Sequence, residues 1–283
     1  MNRSVRILVI SSILIVLALF FLFYSFVHIL PEDGIVWWRA FRISMSVTFE
    51  NRNGGAEVWN FTVDDRTIGL FMNNSWQTVY LMDSSLLVEN DTEIDEDGNP
   101  IGILSFPKSE INSGENLSYT VTYGVVLEPR SAPNISEEES KNLNDIPEDL
   151  RGSYCGAEGL WLKGDLDIVN LAYEIAGNET RVLTIVKRFV DWIHSHIRYG
   201  TIYVPRYPNE TLEGGVGDCD DQANLLITFC RIIGIPAFLQ IGCIYIPQML
   251  SEDHYYEGHF TSSLTRIGWH GWAVVYVPPW GWL

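Results

Sequence analysis

The densest chemistry in the chain lies in Gly214-Gly215-Val216-Gly217-Asp218-Cys219-Asp220-Asp221-Gln222-Ala223. The glycines read as a loop and Asp218 as a helix N-cap. Leu226, Phe229, Cys230 and Ile233 then follow at helical spacing, until Gly234 and Pro236 end the helix. Cys219 therefore falls in the first turn, where free N–H groups and the helix dipole favour a thiolate over a thiol of ordinary pKa, about 8.5. Asp218, Asp220 and Asp221 oppose that effect, so a thiolate there needs a neighbouring imidazolium. Cys155, Cys230 and Cys243 have no such frame and read as small buried hydrophobes.

A base is available downstream. In Gly268-Trp269-His270-Gly271-Trp272-Ala273-Val274-Val275-Tyr276-Val277, His270 heads an apolar strand, and Ala237 to Ile246 reads as the strand before it. A cysteine on a helix N-terminus facing a histidine on an adjoining strand is the geometry of thiol catalysis. The other histidines lack this setting. His194 and His196 are two apart on a helix spanning about 180–197, so they point away from one another and cannot share a metal. His254 and His259 fall in an aromatic-rich stretch, Pro247 to Ile267, expected to be an irregular lid. Glu93, Asp95, Asp97 and Gly98 imitate the start of a calcium loop, but Leu104 stands where that loop needs a glutamate, so an acidic hairpin turn is expected. The cysteines show no zinc spacing, and no metal or cofactor is expected.

These motifs carry a resemblance. G-x-G-D-C-D-D-x-A, then R-I-I-G-I-P-A, then W-H-G-W-A-V-V-Y-V-P-x-x-G-W resemble the transglutaminase-like superfamily, most of all its prokaryotic, especially archaeal, membrane-anchored members. Trp192-Ile193 and Ile197-Arg198-Tyr199 match the family's usual helix ending. The resemblance covers about 165–283 and implies a papain-like α+β fold, with Cys219 as nucleophile and His270 as base. Gly271 stands in place of the usual Ala and Val274 in place of a frequent Glu. The family's third member, an Asp, follows just past the G-W-x-P stretch, and the chain given ends inside that stretch at Leu283. A truncated sequence, another group orienting His270, or an inactive protein would each account for this. Loss of an orienting carboxylate can cost about 10⁴ in rate, so the chain as given is expected to be nearly inert.

The implied reaction is acyl transfer. The Cys219 thiolate attacks a protein or peptide amide, and the Cys219 backbone N–H is one oxyanion donor. Gln222, Tyr203 and nearby tryptophans are candidates for a second. His270 protonates the leaving amine, and the thioester passes to water or to an amine. An amidase or peptidase is favoured, because water is always present. A cross-linking transglutaminase with the same site and an inactive envelope-binding module are the alternatives.

The rest of the chain sets where this happens. Ile7 to Leu30 contains no Asp, Glu, Lys or Arg and spans about 36 Å as a helix, enough for a hydrocarbon core of about 30 Å. Arg3 and Arg6 precede it and Glu32 and Asp33 follow, which keeps the N-terminus cytoplasmic and sends the bulk of the chain outside. The run exceeds the apolar region of a cleaved signal peptide, so a single-pass membrane anchor over 1–34 is expected, with residues 7–30 in the bilayer. Seven N-x-S/T sequons, at Asn60, Asn73, Asn90, Asn116, Asn134, Asn178 and Asn209, fit a glycosylated exterior. Net charge is −18, which argues against nucleic-acid binding. Residues 35–128 alternate apolar and polar side chains between turn signals and predict a small β-sandwich, with Trp59, Phe61 and Val63 on one strand. A Pro-punctuated acidic linker is expected over 129–164, and the α+β domain over 165–283.

Overall fold

The computed structural model describes residues 39–53, 57–157, 159–202 and 204–283. The expected anchor over 1–34 lies outside them. Among the described residues no helix is long and apolar enough to cross a membrane.

In chain order come β1 (Arg39–Glu50), β2 (Trp59–Asn60), a single helical turn α1 (Val63–Arg66), β3 (Thr67–Gly69), β4 (Gln77–Ser84), β5 (Val88–Ile94), β6 (Pro100–Leu104), β7 (Glu110–Ile111) and β8 (Asn116–Leu127). Then follow α2 (Glu148–Tyr154), α3 (Leu166–Ala176), α4 (Val182–His196), β9 (Arg198–Tyr199), α5 (Pro208–Gly214), β10 (Val216–Gly217), α6 (Cys219–Ile233), β11 (Ala237–Tyr255), β12 (Phe260–Val277) and β13 (Gly281–Trp282).

The first half is built of two β layers. β1 points Phe41, Ile43, Met45, Val47 and Phe49 inward, onto a core shared with β8. The opposite face of the same strands carries cross-strand hydroxyl pairs: Ser44–Thr122 at 2.9 Å, Ser46–Thr120 at 2.8 Å and Thr48–Ser118 at 2.7 Å. The second layer is β3-β6-β5 with the small β2–β7 ladder. One expectation fails here. Trp59 opens a strand, but Val63 belongs to α1, because Thr62 and Asp65 cap one another and turn the chain. The acidic turn is a hairpin, as expected. Asp95 Oδ1 accepts from the N–H groups of Asp97 and Asn99, and Gly98 takes the positive φ of 87° that the turn demands.

The second half buries one face of each helix. Ile168, Ala172 and Ala176 of α3, Val182, Ile185, Phe189 and Ile193 of α4, and Leu225, Ile227 and Phe229 of α6 make one core with Ala237, Val275 and Val277 of the sheet. The segment read as a linker is docked on this core. Ile146 is buried in it, Lys141 N–H donates to Pro278 O, and Lys187 pairs with Glu137 at 2.7 Å.

The two halves share a sheet, ordered β11-β12-β1-β8-β4. Residues 247–267, expected to be an irregular lid, instead form the far ends of β11 and β12 and the turn between them. Thr261 to Leu264 of that stretch, together with Phe260, pair with Met45 to Phe49 of β1. The alternation was hidden by a bulge, where the register jumps from Tyr245 to Leu250 opposite Arg266 at φ 62°.

Phe49 is the hinge of the sandwich core. It is 3% exposed, with Trp59, Phe61 and Phe260 ring centroids at 5.5, 5.3 and 5.4 Å. We expect Phe49→Ala to lower unfolding stability by about 3–5 kcal/mol in denaturant titration; a loss below about 1 kcal/mol would show that the two layers do not meet there.

Candidate active site

Cys219 is the first residue of α6, as its sequence setting requires. The start of that helix is built by close approach. A side-chain carbon on Gly217 would sit 2.7 Å from Asp221 Cβ, so only glycine admits the turn into the helix. The three carboxylates then have separate tasks. Asp221 is fully buried and holds the entering loops, its Oδ1 accepting from Arg206 N–H at 2.8 Å and its Oδ2 from Asp218 N–H at 3.3 Å. Asp218 Oδ2 accepts from Ile202 N–H at 2.9 Å. Asp220 faces the thiol, with Sγ donating to Oδ1 at 3.8 Å. The far end of α6 is pinned by Arg231, which lies 3.7 Å over the Trp161 ring and donates to Ala237 O at 2.9 Å.

The sheet reaches the thiol through Gly271. A side-chain carbon there would lie 3.0 Å from Asp220 Cβ. A backbone hydrogen bond from Gly271 acts on the Cys219 thiol, so the sulfur sits against the peptide that joins His270 to Gly271. Among the described residues no strand covers this edge of β12 between its pairings with β1 and β13. Strand alternation sends the Gly271 position toward α6 and His270 toward the other face, where its ring lies 5.9 Å from that of Trp272 at 29°. The structure thus brings Cys219 and His270 one peptide unit apart. Among the described residues it shows no hydrogen bond between Sγ and the imidazole, and no carboxylate bonded to that ring.

The electrostatics are those of an acidic frame. Burial raises the Cys219 thiol above its ordinary value, Asp220 and Asp218 add to this, and hydrogen bonding from the Gly271 and Asp220 backbone works against it. Asp218 itself is pushed up to about 6, by burial first and then by its hydrogen bond with Asp220. Tyr199 is raised by burial, with Cys219, Asp218 and Asp220 adding to it. It neighbours the sulfur, although in sequence it marks only a helix ending. The other cysteines are insulated: burial raises Cys155 and Cys230, and pushes Cys243 up to about 12.

Of the oxyanion candidates, the Cys219 N–H stands in the first helical turn without an intrahelical acceptor. Gln222 Nε2 donates to Gly217 O at 3.0 Å, committing one of its N–H groups to the loop. Tyr203 lies outside the described residues. His194 and His196 are exposed on α4, and His196 stacks on Trp192 at 4.2 Å. Asn60, Asn73, Asn116, Asn134 and Asn178 are exposed, Asn209 is half-buried with its Oδ1 enclosed, and the Asn90 side chain lies outside what is described.

A cysteine opening a helix that packs on an antiparallel sheet, with a histidine on that sheet, sits in a mixed α/β fold. Residues 169–283 match the Transglutaminase-like superfamily, and this part of the chain is a transglutaminase-like domain. Solved structures align with most of the chain. A protein from Cytophaga hutchinsonii, provisionally named a cysteine protease, aligns with a TM-score of 0.52 and 17% identity, over 88% of this chain and 77% of that one, a likeness of fold. The periplasmic domain of TgpA from Pseudomonas aeruginosa aligns with a TM-score of 0.43 and 13% identity, over 90% and 82% of the two chains. Bound to ethylmercury, it aligns at 0.39 and 15%, over 89% and 75%. No curated protein matches the sequence.

Two outcomes follow from the charges. Iodoacetamide should modify Cys219 ahead of the other three cysteines, and Asp220→Asn should speed that modification at pH 7 by removing a charge beside the sulfur. Peptide mapping that finds Cys243 modified first would contradict this. The folded state holds a proton on Asp218 up to about pH 6, against an ordinary carboxyl value of 3.8. This group's contribution to stability is therefore present below pH 4 and lost as pH rises to 6. Asp218→Asn keeps the acceptor for Ile202 and removes the loss. Its melting temperature should gain on wild type between pH 4 and 6; a constant difference would show that Asp218 does not titrate there.

Proposed function

We propose that this chain is a thiol acyl-transfer enzyme that hydrolyses protein or peptide amides outside the cell, anchored by residues 7–30 and glycosylated on its exposed sequons. The observation that carries this reading is the seating of Cys219, at the start of α6, against the peptide between His270 and Gly271.

The chemistry follows from that contact. Burial and the aspartates keep the free thiol protonated, so its proton must pass to His270 as the sulfur attacks. The Sγ–C bond forms, and the Cys219 N–H receives the developing oxyanion. The C–N bond then breaks, and the imidazolium gives its proton to the leaving amine. Water, deprotonated by His270, adds to the thioester, releasing a carboxylic acid and the thiol. An amine in place of water would give a cross-link. The bare His270 ring favours slow turnover over the rate of a fully oriented pair.

The test uses a p-nitrophenyl ester, whose good leaving group needs no proton, beside ammonia release from a glutamine peptide. Wild type should release nitrophenol, Cys219→Ala should not, and His270→Ala should lose about 10²–10⁴ of the glutamine rate while keeping more of the ester rate. Equal ester rates in wild type and Cys219→Ala would end the nucleophile assignment.

A further inference from the structure

Only eight residues lie between Leu30, where the apolar run ends, and Arg39, where β1 opens. Fully stretched they reach about 30 Å. β1 runs away from that entry point, so Glu50 lies about 36 Å further on. Three strands share the entry end, because Arg39 is in register with Leu127 of β8 and Leu127 with Gln77 of β4. Trp76 precedes β4 there and Arg130 follows β8. Trp76 O accepts from Glu128 N–H at 2.8 Å, and the Arg130 guanidinium lies 5.1 Å over the Trp76 ring.

The surface continues onto the face of the sheet turned away from the sandwich core. There Arg42 is in register with Gly124, and Gly124 with Tyr80. Met82 fills this row, its sulfur 2.9 Å from where a side-chain carbon on Gly124 would sit. Trp76, Tyr80 and Met82 are 44%, 57% and 56% exposed, and Arg39, Arg42 and Arg130 are exposed with them. Among the described residues none of these three arginines forms an ion pair. Glu128 and Asp83 are the carboxylates that border the patch, in a chain whose net charge is −18. Asn73, a neighbouring sequon, turns the other way and lines the sandwich cavity with Val79 and Tyr123. Large aromatic side chains beside free guanidinium groups suit a lipid headgroup layer, where the rings settle at the interface and arginine reaches phosphate.

Resting on the reading of residues 7–30 as a membrane anchor, we propose that this end of the sandwich lies on the headgroups of an anionic phospholipid bilayer. The anchor supplies the tether, and the patch fixes the orientation. β1 stands up from the bilayer with Arg39 at its foot. The acidic remainder of the surface is repelled by the same lipids, which sharpens the choice of face.

The test uses the full chain in vesicles that contain a lipid with a nitroxide on its headgroup. A fluorophore is attached through Thr78→Cys, between Trp76 and Tyr80, or through Asn116→Cys, at the far end of β8 opposite Glu50. Cys219→Ala keeps the half-buried native thiol out of the labelling. Adding phosphatidylglycerol to phosphatidylcholine vesicles should raise quenching at 78 by roughly twofold or more and leave 116 unchanged. A tether alone also brings 78 nearer the bilayer, but it is indifferent to lipid charge. Molar salt should abolish the gain, as should Arg42→Glu combined with Arg130→Glu under an unchanged melting curve. Quenching at 78 that ignores phosphatidylglycerol, or a gain that survives the salt or the folded double variant, would overturn the surface. Alkaline carbonate extraction judges the anchor separately. A chain that is stripped from the vesicles fails the anchor reading, while the phosphatidylglycerol gain still decides the surface.

Discussion

The site depends on one close approach: the first turn of α6 pressed against the backbone of β12 at Gly271. Two glycines permit it. At Gly217 a side-chain carbon would meet Asp221 at 2.7 Å, and at Gly271 one would meet Asp220 at 3.0 Å. The first lets the helix begin abruptly, and the second lets the sheet lie within hydrogen-bonding reach of the sulfur. A thiol and an imidazole on separate elements need such a contact, because proton transfer tolerates little slack. The buried Asp221 carboxylate then locks the entering loops, so the helix start is held from both sides.

The second constraint is continuity of the sheet. β11 and β12 run through both halves of the molecule, giving one end of their common face to the sandwich and the other to the helices. The start of α6 therefore packs on strand backbone, at Gly271, and not on a loop.

Much of this was legible in the sequence. The period of α4, the N-cap and stripe of α6, the alternation of β1 and β8, and the placing of Cys219 at a helix start and of His270 on a strand all follow from local rules. What was not legible has a common cause. Val63 continues an alternating pattern but is claimed by a local capping pair, Thr62 and Asp65. Residues 247–267 look irregular because a bulge shifts the register inside a strand that is otherwise regular. Ile241 and Trp269 look like core in an apolar run, yet the fold leaves both side chains exposed. The acidic run Asp218, Asp220, Asp221 reads as one feature, yet the fold gives each carboxylate a different partner.

That division of the aspartates shapes the chemistry. A helix N-terminus alone would lower a thiol pKa, but here burial and two carboxylates outweigh it. The sulfur is therefore held as a thiol. That state is also coupled to acidity. Below about pH 6 Asp218 holds a proton and carries less charge against the sulfur; above it Asp218 ionises and the thiolate becomes harder to form. Rising pH thus strengthens the opposition to the thiolate at Cys219. An acidic frame of this kind disfavours the thiolate and so slows oxidation and alkylation of the half-buried Cys219 sulfur.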